Sequence, residues 1–159
     1  MAGPKKPKFR DIDVRVTKLP APTPQWPEGY AFKLEGDGVG QGNRLKFKNN
    51  HHPGFIVSFN IVDPDNTGCQ FLPDPDDAMW VQESELADPP CPCSAVYWDD
   101  FRAVDVVDCG QGEQFKSLLV YNKNDAPQRF AFTLRFQIPG CNKAVEFDPI
   151  GENENGLQY

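Results

Sequence analysis

Histidine is almost missing from this chain. The two that occur, His51 and His52, are adjacent in "NNHHPG". Consecutive residues of an extended strand point to opposite faces, so a single zinc site has little use for both. The four serines are Ser58, Ser84, Ser94 and Ser117, and none stands in a G-x-S-x-G turn. Ser-His catalysis therefore has no support in the residues. No histidine closely follows Cys69, Cys91, Cys93, Cys109 or Cys141, which removes a copper site of the cupredoxin kind. These five cysteines are odd in number and lack paired C-x-x-C spacing, so the expectation is free thiols in a reducing compartment. Structural zinc built from Cys91 and Cys93 with a histidine is the alternative.

Long apolar runs are lacking too. No stretch reaches the length that crosses a bilayer, and "MAGPKKPKFRDID" opens with charge but has no apolar stretch behind it, as a secretory leader would. A cytoplasmic protein without a membrane partner is expected. Positive charge is in short supply: 16 Lys and Arg face 23 Asp and Glu, for a net charge of -7. That balance repels nucleic acid and anionic lipid, and the one basic run, "PKKPKFR", is too small to reverse it. No nucleic-acid partner is expected.

What the chain has is aromatic residues and turns. Its 159 residues include 12 Phe, 3 Trp, 13 Gly and 16 Pro. That length suits one domain with a substantial core, and the Gly and Pro content implies many turns and few helices. Period-two alternation dominates. "FAFTLRFQI" sets Phe130, Phe132, Leu134, Phe136 and Ile138 on one face; "DIDVRV", "YAFKLEG" and "RLKFK" alternate likewise. "GFIVSFNIVD" is apolar on both faces at its start, which predicts a central strand with Phe55, Val57, Phe59 and Ile61 on one side. With "AMWVQE", "FRAVDVVD", "FKSLLVYN" and "AVEFDPI", the count reaches about eight or nine strands. The predicted fold is all-β: a single antiparallel β-sandwich of immunoglobulin-like kind over residues 9–150, between an arm at 1–8 and a flexible tail at 151–159. The predicted core is Phe55, Val57, Phe59, Phe130, Phe132, Leu134 and Phe136, with Trp80 or Trp98 at its edge. "KNDAP" reads as a hairpin turn between the last two long strands.

The most specific candidate for chemistry is "DPDNTGCQFLPDPDD". Asp63, Asp65, Asp74 and Asp76 belong to two Asp-Pro-Asp repeats, and calcium takes six to eight such oxygens. The EF-hand spacing is absent, however, and each proline favours a turn in which Asp caps nearby amides. A carboxylate-dependent hydrolase would need a converging pair such as Asp99 and Asp100. "GDGVGQG" lacks the Lys-Ser/Thr of a phosphate loop and reads as a turn. Tyr97, Trp98 and Phe101, with Trp26 or Trp80, could form a stacking surface for sugar or peptide, but such residues are standard sandwich core and core is the expected role.

The segment "FAFTLRFQI" followed by "AVEFDPIGENENG" resembles the closing hairpin of small bacterial immunoglobulin-like sandwich proteins. It is similar to the DP-EP family and, more distantly, to the inclusion-body (PixA/AidA-like) family. An aromatic-Asp-Pro-apolar run ends those domains, and here it is Phe147, Asp148, Pro149 and Ile150. The resemblance implies the sandwich fold and no transferable catalytic residue. The expected function is a non-enzymatic protein-binding or self-assembling module, plausibly a homo-oligomer. The alternatives are a calcium-binding sandwich and a hydrolase working through carboxylates.

Overall fold

Alternation along the chain becomes strands in the computed structural model, which describes residues 7–48, 54–92, 94–109, 113–124 and 127–154, with the backbone alone at 108–109 and 113–114. The elements are β1 (Lys8–Lys18), β2 (Tyr30–Gly36), β3 (Val39–Gly40), β4 (Arg44–Phe47), β5 (Phe55–Val62), β6 (Gln70–Phe71), α1 (Pro75–Ala78), β7 (Met79–Ser84), β8 (Phe101–Cys109), β9 (Glu113–Asn122), β10 (Gln128–Gln137), β11 (Val145–Phe147) and β12 (Ile150–Asn153). Twelve strands among the described residues exceed the eight or nine expected, because β3, β6 and β11 are too short to carry a period. Pro75 limits α1 to four residues, with Asp74 as its N-cap.

The strands form two sheets. The first runs β2-β1-β5-β9-β8. In the second, β10 is central: β7 and β6 pair with it on one side, β12 and β11 on the other, and β4 and β3 follow β12. Neither sheet is purely antiparallel, as the sequence had suggested. β1 lies parallel to β5 from Lys8↔Phe55 to Arg15↔Val62, and β12 lies parallel to β4. Alternation reports which face of a strand is buried, and both pairing modes satisfy it equally.

The sheets pack through phenylalanine. Phe32 of the first stacks on Phe136 of the second at 4.7 Å and 9°. Phe59 meets Phe132 at 5.7 Å, and Phe101 meets Phe130 at 4.6 Å and Phe132 at 5.2 Å. All seven expected core residues are buried, and Trp98 packs on the core rim. A polar clasp joins the sheets at one end. Buried Asn122 of β9 and Asn153 of β12 exchange side-chain hydrogen bonds of 2.8 and 2.9 Å. Each satisfies the other, so neither amide pays for burial unpaired.

Two expectations fail here. β9 and β10 lie in different sheets, so the "KNDAP" segment is a crossing rather than a hairpin. Residues 151–153 are strand rather than tail: Gly151 sits opposite Phe130, and both Gly151 and Asn153 are buried. At the other end, Lys8 already belongs to β1, and residues 1–6 lie outside the described ones.

Candidate interaction surface

The first sheet turns one face to the core, and on its other face, among the described residues, Phe9, Ile56 and Val104 are exposed. Register places Phe9 of β1 beside Ile56 of β5, Ile56 beside Tyr121 of β9, and Tyr121 beside Arg102 of β8. These four form one row across the sheet. Val104 extends it at the β8 edge, where the register shifts between Ala103 and Asp105. Phe9 is 56% exposed, Ile56 37%, Val104 62% and Tyr97 44%; among the described residues, Leu86 is the one other large apolar side chain so open. The Arg102 guanidinium lies 5.3 Å from the Tyr97 ring centre and 3.3 Å from Asp99 Oδ1. A shallow hollow of about 340 Å³ opens there, lined by Arg102, Val104, Tyr121 and Lys123 among others.

The strand formed by "GFIVSFNIVD" is central, as expected, between β1 and β9; on its outer side Ile56 is partly open to solvent while Ser58 is buried. Beside the apolar row runs a polar one. Asn60 Oδ1 accepts from Ser58 Oγ at 2.8 Å and from Ser117 Oγ at 2.7 Å, while Asn60 Nδ2 donates to Asp11 Oδ1 at 3.2 Å.

The sheet edges are guarded. The Leu34 amide on edge strand β2 is taken by Asn43 Oδ1 at 2.9 Å. Asn43 reaches that position from a left-handed backbone, φ 57°. Edge strand β8 carries two register irregularities, and the Val81 amide of β7 donates to Val96 O at 2.8 Å. β3 and β11 are two and three residues long. Bulges, short strands and side-chain caps are the usual means of stopping edge-to-edge pairing.

The four aspartates singled out in the sequence are spread over separate local tasks. Asp63 accepts from the Thr67 and Gly68 amides at 2.9 and 3.0 Å and lies 3.9 Å from Lys116 Nζ. Asp65 accepts from the Lys18 amide at 3.0 Å. Asp74 caps α1 through the Asp76 amide at 2.9 Å, and Asp76 faces Arg102 at 3.5 Å. Among the described residues no three His, Cys, Asp or Glu side chains converge as metal ligands would. Asp63 and Asp74 cap local amides in proline-bounded turns, while Asp65 and Asp76 reach partners far along the chain. His51, His52 and Cys93 lie outside the described residues. Cys69 is buried, and that burial pushes its thiol up to about 12; nearby Asp63 and Cys141 act the same way, against Lys116. Among the tryptophans, Trp98 packs on Phe130 at 5.1 Å, Trp26 on Phe32 at 5.9 Å, and Trp80 lies under Arg135 at 4.0 Å.

No described helix is long and apolar enough to cross a membrane. No family model matches the chain, and no curated protein sequence does. Among solved structures, the chain is similar to an inclusion body protein (PixA) from Burkholderia cenocepacia J2315, at 16% identity over 93% of this chain and 94% of that one, with a TM-score of 0.30.

Proposed function

We propose that the protein is a non-enzymatic self-associating module, and that its partner is a second copy docked face to face on the outer surface of the first sheet. We read the two packed sheets, with this role, as a divergent immunoglobulin-like sandwich. The observation that carries the proposal is the row Phe9–Ile56–Tyr121, continued by Val104, on a sheet face where, among the described residues, Phe9, Ile56 and Val104 are exposed. Contiguous apolar surface of this kind, rimmed by charge, is what association sites present. The guarded edges argue for pairing through the face rather than by strand addition.

The row itself favours a second copy. A two-fold axis along the strands, passing between β5 and β9, sets β1 of one copy over β8 of the other and keeps each row at its own height. Ile56 then meets Tyr121, and Phe9 meets the Arg102 guanidinium, twice by symmetry. Sedimentation velocity from micromolar to millimolar protein tests this. A reversible dimer is expected, with Ile56→Lys weakening it by about tenfold or more, since burying one unpaired ammonium costs well over the 1.4 kcal/mol that a factor of ten represents. A strictly monomeric protein at every concentration, or a dimer indifferent to Ile56→Lys and Val104→Glu, overturns the proposal.

A further inference from the structure

The Pro-rich segment "LPAPTPQWPEG" is not merely a link between β1 and β2. Its ends are tied by the Leu19 amide to Gly29 O at 2.9 Å, and its middle by the Gly29 and Thr23 amides to Trp26 O at 2.9 and 3.1 Å. The Trp26 amide in turn donates to Thr23 Oγ1 at 3.0 Å. Gly29 closes the loop with φ +82°, which suits glycine. The Trp26 ring is braced against Phe32 at 5.9 Å and Phe147 at 6.0 Å. This loop spans the gap between β2, an edge of the first sheet, and β11, an edge of the second. It borders a half-open hollow of about 290 Å³ lined by Trp26, Glu28 and Tyr30 on one side and by Glu146 and Asp148 on the other.

We propose that this hollow binds an organic cation, a protonated or quaternary alkylamine, with Trp26 and Tyr30 as the aromatic surfaces and Glu28, Glu146 and Asp148 as the counter-charges. Three arguments select that chemistry. Three carboxylates line the hollow against one neighbouring guanidinium, Arg135, which bonds Glu146 at 3.0 Å and is already engaged by Asp77 O at 3.0 Å and the Trp80 ring at 4.0 Å. The carboxylates do not converge on a point, and among the described residues no metal-ligand cluster forms. A small hard cation needs converging oxygens, whereas a bulky cation with its charge spread over carbon needs ring faces and dispersed negative charge. Asp148 is also held in place: its Oδ1 accepts from Thr133 Oγ1 at 2.5 Å, and Thr133 is fully buried in β10. The site is therefore built before any ligand arrives, which lowers the cost of binding. It lies apart from the sheet face proposed for self-association and does not depend on it.

Titration calorimetry with choline and its uncharged isostere 3,3-dimethylbutan-1-ol tests the proposal on the intact chain. Choline is expected to saturate one site, and the isostere to bind at least about tenfold more weakly, because the cation–π and Coulomb contributions vanish while shape remains. Glu28→Gln and Asp148→Asn each lower choline affinity several-fold without shifting the melting midpoint downward. Trp26→Ala is the stronger variant, but it removes packing from Phe32 and Phe147, so the two carboxamide variants carry the decision. Equal affinity for the isostere, preferential binding of glucose, affinity unchanged in both carboxamide variants, or no saturation at high millimolar choline overturns the proposal.

Discussion

Replacing Gly151 by alanine tests how firmly the last strand belongs to the fold. Gly151 faces Phe130 across the β12–β10 pair, and a Cβ there would run into the Phe130 ring. The ring has nowhere to go. It is packed by Phe101 at 4.6 Å, Trp98 at 5.1 Å and Phe132 at 6.0 Å, and it is fully buried. Adding one methyl to so tight a place costs about 1–3 kcal/mol through displaced side chains and backbone. For a chain of this size each kcal/mol moves the melting temperature by roughly 2–4 °C, so a fall of about 2–12 °C is expected. Urea melts give the same quantity, with a lower midpoint and an unchanged slope. Trimming the ring should relieve the clash: Phe130→Leu with Gly151→Ala should lose less than the two single changes added together. If Gly151→Ala melts with the natural chain, residues 151–153 are a loose tail and the reasoning fails.

Other consequences are as direct. Phe132→Ala removes a ring shared between Phe59 and Phe101 across the sheets, and should cost about 3–5 kcal/mol in urea melts; a loss below about 1 kcal/mol would take Phe132 out of the core. Cys69, buried and with its thiol pushed up to about 12, should resist iodoacetamide in the native state at mildly alkaline pH and react on unfolding in urea; equally fast native labelling by mass spectrometry would refute its burial. Desolvation raises the Asp148 carboxyl above its ordinary range, opposed by the Thr133 hydrogen bond and aided by Glu146. Ionisation is then harder in the folded state than in the unfolded one, so the natural chain loses stability as pH rises through the raised value. Asp148→Asn should melt later than the natural chain at neutral pH, and that advantage should vanish below the ordinary Asp value of about 3.9. An advantage that persists in acid would point to a cause other than charge.

Much of the fold could be read in the residues because alternation is a local property. The burial of Ile12, Val14 and Val16, or of Phe130, Phe132, Leu134 and Phe136, needs only the two-residue repeat of a strand with one wet face. The turn role of Asp63 and Asp74 follows equally locally, from a carboxylate placed before proline within reach of the next amides. Neither candidate surface was legible. Trp26 and Tyr30 stand among core-like aromatics in the sequence, while Glu146 and Asp148 lie more than a hundred residues away along the chain. The row Phe9–Ile56–Tyr121 likewise draws on three strands far apart in sequence.

The sequence by itself determined that the chain is all-β, which faces of its strands are buried, and that Asp63 and Asp74 open turns. Those depend on neighbours a few residues away. Only the tertiary structure decided that β1 runs parallel to β5, that β9 and β10 part into different sheets, and that β12 completes the second sheet. Partner choice depends on the whole set of strands competing for each edge, and no local pattern records it. Ile56 shows the difference most plainly. The apolar second face of its strand marks a central position, which the sheet order bears out, but which of that face's residues are open, Ile56 at 37% against Ser58 at 5%, is set by the strands that flank it.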